Sequence, residues 1–203
     1  MRNALLVAPV TLLLAACVTP AETHMHAVAS LDPDQRPDVA TVIFVRAPNT
    51  CDEGSPFVII DDAGQFVGES APGTKFSFRV APGSHAFVTW QPYAELHSER
   101  YPNLNQVGAV AGTFEAGRWY VVEVQIANSP VAGRRACAAY PWLGMRLVDP
   151  SRDEELAMAL AAANPVEAER AAGQAEIDAE PDDLQRHLAL GRAKLARRAS
   201  VER

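Results

Sequence analysis

Residues 74–90 read Thr-Lys-Phe-Ser-Phe-Arg-Val-Ala-Pro-Gly-Ser-His-Ala-Phe-Val-Thr-Trp, and this stretch decides the fold. Phe76, Phe78 and Val80 alternate with Ser77 and Arg79, the period of a strand with one buried face. Ala81-Pro82-Gly83-Ser84 interrupts the run, and Ala86, Val88 and Trp90 then resume it. Pro presets φ near −65° and Gly accepts positive φ, so Pro82-Gly83 reads as the structural turn, of type II. A type II turn splays a tight hairpin. The expectation is therefore a wider loop or a corner between two sheets, at the nucleus of an antiparallel β domain.

Other strands lie on either side. Ala40–Arg46 is apolar on both faces, which marks a central or covered strand. Phe57–Asp61 and Gln65–Gly68 flank Asp62-Ala63-Gly64 and read as a hairpin. Trp119–Ala127 places Tyr120, Val122, Val124 and Ile126 on one face, and Trp142–Val148 is a last strand. Gln91–Gly112 reads as a long connection. Beyond Asp149 the period changes. Asp149-Pro150-Ser151 opens a helix with Glu154 and Glu155 in its first turn and Leu156 and Leu160 one turn apart. Pro165 ends it, Val166–Ala179 is expected as a second helix, and Pro181 starts a third whose stripe is Leu184, Leu188, Gly191 and Leu195.

The chain has 203 residues, a formal net charge of −7 and 48% hydrophobic residues, enough for one substantial core. The acidic balance argues against non-specific nucleic-acid binding, which needs a basic face. At the start, Ala4–Ala16 is apolar or small apart from Thr11. Thirteen helical residues span about 20 Å against a hydrocarbon core of about 30 Å, so this is a signal h-region over residues 1–16 and not a membrane span. It ends in Leu14-Ala15-Ala16-Cys17, which resembles the lipobox of bacterial lipoproteins. That resemblance implies cleavage before Cys17 and acylation (diacylglyceryl and palmitate-type chains) of Cys17, anchoring the protein in the lipid bilayer. Val18 in place of Asp after the cysteine implies the outer membrane, facing the periplasm. An ordinary secretory peptide is the alternative.

Residues 17–39 then read as the acylated cysteine and a flexible tether, 40–149 as the β domain and 150–203 as C-terminal helices. His24-Met25-His26, inside the tether, is a weak metal-ligand pattern. Cys51 and Cys137 are the remaining cysteines, and in an oxidising compartment two cysteines invite a disulfide. A catalytic thiol is the alternative, with no His or Asn motif beside either residue. A Cys51–Cys137 bridge sets the end of strand Ala40–Arg46 beside the start of Trp142–Val148, so these two are expected to pair antiparallel.

Asp62-x-Gly64-x-x-x-Gly68, then Phe76-x-Phe78-x-Val80-x-Pro82-Gly83-x-His85, with Glu115-Ala116-Gly117-Arg118-Trp119-Tyr120 later, resembles the PEGA-type module and a group of small bacterial lipoproteins with that β-sandwich. The resemblance covers residues 40–160 and rests on turn signals. It implies an Ig/fibronectin-like antiparallel sandwich and says nothing of activity. Ala175–Ala196 faintly resembles part of a tetratricopeptide repeat, one fragment where about three repeats are needed.

The spacings of nucleophile elbows, zincins, phosphate loops, dinucleotide folds and dithiol pairs are all missing from the sequence. Glu95, His97 and Glu99 come nearest to a site: on a strand they share a face and supply ligands for a divalent metal, although Pro92 and Pro102 beside them favour a solvated rim. His85 is expected to bond loop backbone, Arg134-Arg135 to be ordinary surface, and Trp119 and Trp142 to be core or sheet-edge aromatics. The leading expectation is a non-enzymatic envelope lipoprotein without cofactor, a binding or structural module whose partners are the bilayer and either peptidoglycan or an envelope complex. A tethered metal-dependent hydrolase using Glu95, His97 and Glu99 is one alternative. An adaptor working through Leu184, Leu188 and Leu195 is another.

Overall fold

Most strands among the described residues form where the β-branched and aromatic runs lie, and the α-helices where the 3.6-residue period takes over. The computed structural model describes residues 24–31, 36–48, 56–91, 104, 107–127 and 142–201. The strands are β1 (Met25–Ala27), β2 (Ala40–Arg46), β3 (Phe57–Asp61), β4 (Phe66–Ser70), β5 (Thr74–Val80), β6 (Gly83–Trp90), β7 (Val107–Phe114), β8 (Trp119–Ala127), β9 (Trp142–Val148) and β10 (Asn164–Ala168). The helices are α1 (Glu154–Ala162), α2 (Arg170–Ala179) and α3 (Pro181–Val201). One sheet has the order β1-β10-β5-β2-β8-β9 and the other β4-β3-β6-β7.

The two sheets pack face to face. Val42, Phe44, Phe76 and Phe78 of the first meet Phe57, Ile59, Phe87 and Phe114 of the second in a single core. Phe44 sits at its centre, stacked on Phe76 at 5.1 Å and edge-on to Phe87 at 5.1 Å. The outer faces are covered as well. Val45 and Val121 lie under Leu156 and Ala163 at α1, and Val58, Ile60, Val88 and Trp90 lie under Ile177 of α2 and Leu188 of α3. This second burial explains why β2 is apolar on both faces.

The corner at Pro82-Gly83 is where the chain changes sheet. β5 belongs to the first sheet and β6 to the second, so the two strands do not pair as a hairpin. Gly83 has φ of +138° and already begins β6, a conformation that L side chains rarely adopt. The β3–β4 hairpin forms as expected. Asp61 Oδ1 accepts from the Ala63 and Gln65 amides at 2.9 and 2.8 Å, and Gly64 takes φ of +82°.

A mainly β fold of two sheets with C-terminal helices is what the pattern leads one to expect, but four details differ. The second sheet is wholly antiparallel, whereas the first is mixed, with β2 parallel to β8 and β5 parallel to β10. The expected pairing of β2 with β9 is not made. β8 lies between them, parallel to β2 and antiparallel to β9, with Val121 and Val122 buried on its opposite faces. Cys51 and Cys137 both fall outside the described residues. The long connection contains β7, whose Gly108 conceals the strand period. A Cβ there would come within 2.6 Å of Thr89 Cγ2, so packing demands the glycine. The second helix begins at Arg170, and Asn164–Ala168 before it is β10. Pro165 biases Asn164 to extended backbone, consistent with a strand there.

The C-terminal region is not a tail. It closes both open sides of the sandwich. On one side β10 joins β5, β1 joins β10 antiparallel through Met25↔Ala168 and Ala27↔Val166, and α2 leans on β4. On the other side α3 spans the adjacent edges of β7 and β9. Lys194 donates to Val107 O and, at 2.7 Å, to Leu143 O, while Arg198 donates to Ala109 O at 3.3 Å and Met145 O at 3.1 Å. Four helical residues rise about 6 Å and two strand residues about 6.7 Å, so one turn of α3 matches one repeat of each strand. Edge carbonyls that invite intermolecular pairing are thereby occupied. Burial, with Arg198 nearby, pushes the Lys194 ammonium down to about 8.

Candidate functional site

The residues that combine burial, charge and an exposed margin lie around β1, in the segment expected to be a structureless tether. That expectation is corrected for residues 24–28. His24 is held from three sides. Its N–H donates to Glu69 Oε2 at 3.1 Å, its carbonyl accepts from the Glu169 amide at 2.7 Å, and its Nε2 lies 2.5 Å from Glu176 Oε2. Its ring stands edge-on to Phe66, with centroids 6.1 Å apart. Next to it Met25 Sδ accepts from the Glu69 amide at 3.2 Å, and Gln174 Oε1 accepts from the Phe66 amide at 2.7 Å. Two amides on the outer edge of β4 thus find their acceptors on β1 and α2. Further along, His26 Nε2 faces Glu167 Oε2 at 3.8 Å.

Glu69 is the unusual group. It is 5% exposed, and burial raises its carboxyl above the ordinary 4.5, with His24 opposing the rise and Glu176 adding to it. A raised native value means that the folded state binds the proton more tightly than the unfolded chain. This contribution to stability is complete below about pH 4.5 and is lost as pH rises through the native pKa. Glu69→Gln keeps an acceptor for the His24 amide without the buried charge. The variant is expected to be more stable than the wild type at pH 7, and the gap should narrow on acidification toward pH 4.5. Urea midpoints measured across that range check it. A gap independent of pH would show that Glu69 is not held in this environment.

The chain matches no known family model, curated protein or solved structure. Its function must be read from its own residues. Glu95, His97 and Glu99, the ligand set of the hydrolase alternative, lie outside the described residues, as do Cys17 and the Arg134-Arg135 pair. Among the described residues no group of three His, Cys, Asp or Glu side chains is placed to hold a metal, and no helix is long and apolar enough to cross a membrane. His85 bonds loop backbone as expected, with Nε2 2.8 Å from Ala81 O. Trp119 is half-buried at the start of β8, and the side chain of Trp142 is outside the described set. Of the adaptor alternative's Leu184, Leu188 and Leu195, the first two are taken up in the cluster of Val88, Trp90 and Val107, and Leu195 is half-buried outside it.

The site that reasoning from sequence missed is this rim of His24, Glu69 and Glu176. Its members are 45 and 152 residues from His24 along the chain, so no local spacing announces them. A usable signal was His24-Met25-His26 itself, a polar–apolar–polar alternation that is also the pattern of a short strand.

Proposed function

We propose that this protein is a lipid-anchored lipoprotein of the cell envelope, acting as a non-enzymatic binding or structural module that faces the periplasm from the outer membrane. The observation that carries the reading is the run Leu14-Ala15-Ala16-Cys17 after an apolar segment too short to span a bilayer. Acyl chains contribute about 0.8 kcal/mol per buried CH₂, so a multiply acylated Cys17 is an effectively permanent anchor. The domain it carries is a sandwich of the Ig/fibronectin-like, PEGA-like kind in this reading. Cys51 and Cys137 form a disulfide in the oxidising periplasm. Besides the bilayer, its partner is peptidoglycan or an envelope complex.

Intact mass of the exported protein is expected to show a chain beginning at Cys17 with acyl mass added and no free thiols. Cys17→Ser should move the protein from the membrane pellet to the soluble fraction. An unmodified mature protein that never pellets would overturn the reading. In-cell crosslinking of the acylated form then identifies the neighbour.

A further inference from the structure

We infer that Met25 is an oxidation-sensitive latch: conversion of its thioether to the sulfoxide by a peroxide releases β1 from β4 and from β10. The inference is independent of acylation at Cys17, because it needs only the residues around β1. That strand is three residues long, and two sets of bonds hold it. One is the antiparallel ladder of Met25–Ala27 with Val166–Ala168. At its ends the Val28 amide donates to Pro165 O at 3.1 Å and the Glu169 amide to His24 O at 2.7 Å. The other is a reciprocal pair with Glu69 of β4. The His24 amide donates to Glu69 Oε2 at 3.1 Å, and the Glu69 amide donates to Met25 Sδ at 3.2 Å.

Oxidation removes the sulfur acceptor whichever lone pair reacts. A sulfur lone pair attacks the O–O bond of hydrogen peroxide. One oxygen stays on sulfur and the other leaves as water with both protons, so the thioether loses two electrons and the peroxide gains them. An oxygen on the lone pair that faces the amide would stand between atoms 3.2 Å apart, where an N–H···O contact alone takes about 2.7–3.2 Å. An oxygen on the other lone pair leaves sulfur as the positive end of the S–O dipole, aimed at the amide hydrogen. Either way the Glu69 amide regains a partner only when β1 moves off and water enters, because Glu69 is buried. Met25 is also packed, half-buried, against the main core cluster, where a new polar group costs free energy. Release opens the edge of β10 that β1 covers, and an open edge accepts a strand from another chain.

The test treats the full-length native protein with hydrogen peroxide, locates sulfoxide by peptide mass and reads amide exchange. Met158 is 60% exposed and Met145 is 1% exposed, so Met158 should oxidise first, Met25 next and Met145 last. Sulfoxide on Met25 is expected to speed exchange of the Glu69, Val28 and Glu169 amides about tenfold, with the β2–β5 ladder unchanged. Methionine sulfoxide reductases A and B together should restore the slow rates. Peroxide should leave the rates of Met25→Leu as they were, whereas Met158→Leu should respond like the wild type. Unchanged exchange with sulfoxide on Met25 would overturn the inference. So would the same acceleration in peroxide-treated Met25→Leu, or a Met25 that stays reduced until Met145 is oxidised. If Met25→Leu does not fold, the wild-type rates and their reversal decide the matter by themselves.

Discussion

Phe44→Ala is expected to cost about 3–5 kcal/mol of folding stability, the largest effect of any single truncation. Phe44 has no exposed surface and touches both sheets. Its ring is stacked on Phe76 from its own sheet, with 19° between planes, and stands edge-on to Phe87 from the facing sheet. Removing it deletes two aromatic contacts and leaves a void between layers that are each fixed by backbone ladders. The neighbours cannot collapse into that void without breaking the register of β2 with β5 and β8. Urea unfolding checks the value. A loss below about 1.5 kcal/mol would mean that the layers close over the gap, contrary to a core held from both sides.

A second large effect is expected at Gly191, where two rules give opposite signs. Helix propensity alone favours Gly191→Ala by about 0.8–1.0 kcal/mol. Yet a Cβ on Gly191 would lie 2.4 Å from Val88 Cγ2 and 3.0 Å from Cγ1. Val88 is stiff at χ1 and sits within β6 between β3 and β7, so it has little room to give. Overpacking of this kind costs about 1–3 kcal/mol, occasionally more, and exceeds the propensity gain. Gly191→Ala should therefore destabilise, and Gly191→Val should cost about 3 kcal/mol or lift α3 from the sheet. Lifting exposes Leu188 and Trp90, which hydrophobic-dye binding detects. A stabilised Gly191→Ala variant would show that α3 does not lie on Val88. Gly173 of α2 is placed likewise, 2.4 Å from Phe66 Cε1, so both helices approach the second sheet through a glycine.

Much of the fold was legible because its signals are local. The alternation of β5 and β6, the Pro82-Gly83 corner, the Asp62-Ala63-Gly64 turn and the acidic first turn of α1 at Glu154 and Glu155 each depend on residues a few positions apart. β7 and β10 were not legible, because their sequences answer to distant neighbours. Gly108 looks like a loop residue until Thr89 is placed beside it, and Val166–Ala168 looks helical until Met25–Ala27 pairs with it. The rim of His24, Glu69 and Glu176 belongs to the same class, as it joins β1, β4 and α2.

What the sequence by itself determined is the class of the molecule: apolar alternation at period two, then amphipathic helices. These are properties of neighbouring residues, and backbone geometry converts them directly into strands, turns and helices. Tertiary structure alone decided which strands are adjacent, that the C-terminal segment closes both sides of the sandwich, and that Met25–Ala27 pairs with Val166–Ala168. Those outcomes are set by burial and by the need to satisfy edge amides and carbonyls, as Met25 does for Glu69 and Lys194 does for Val107 and Leu143. Such partners are chosen by the packed whole, so no window along the chain contains them.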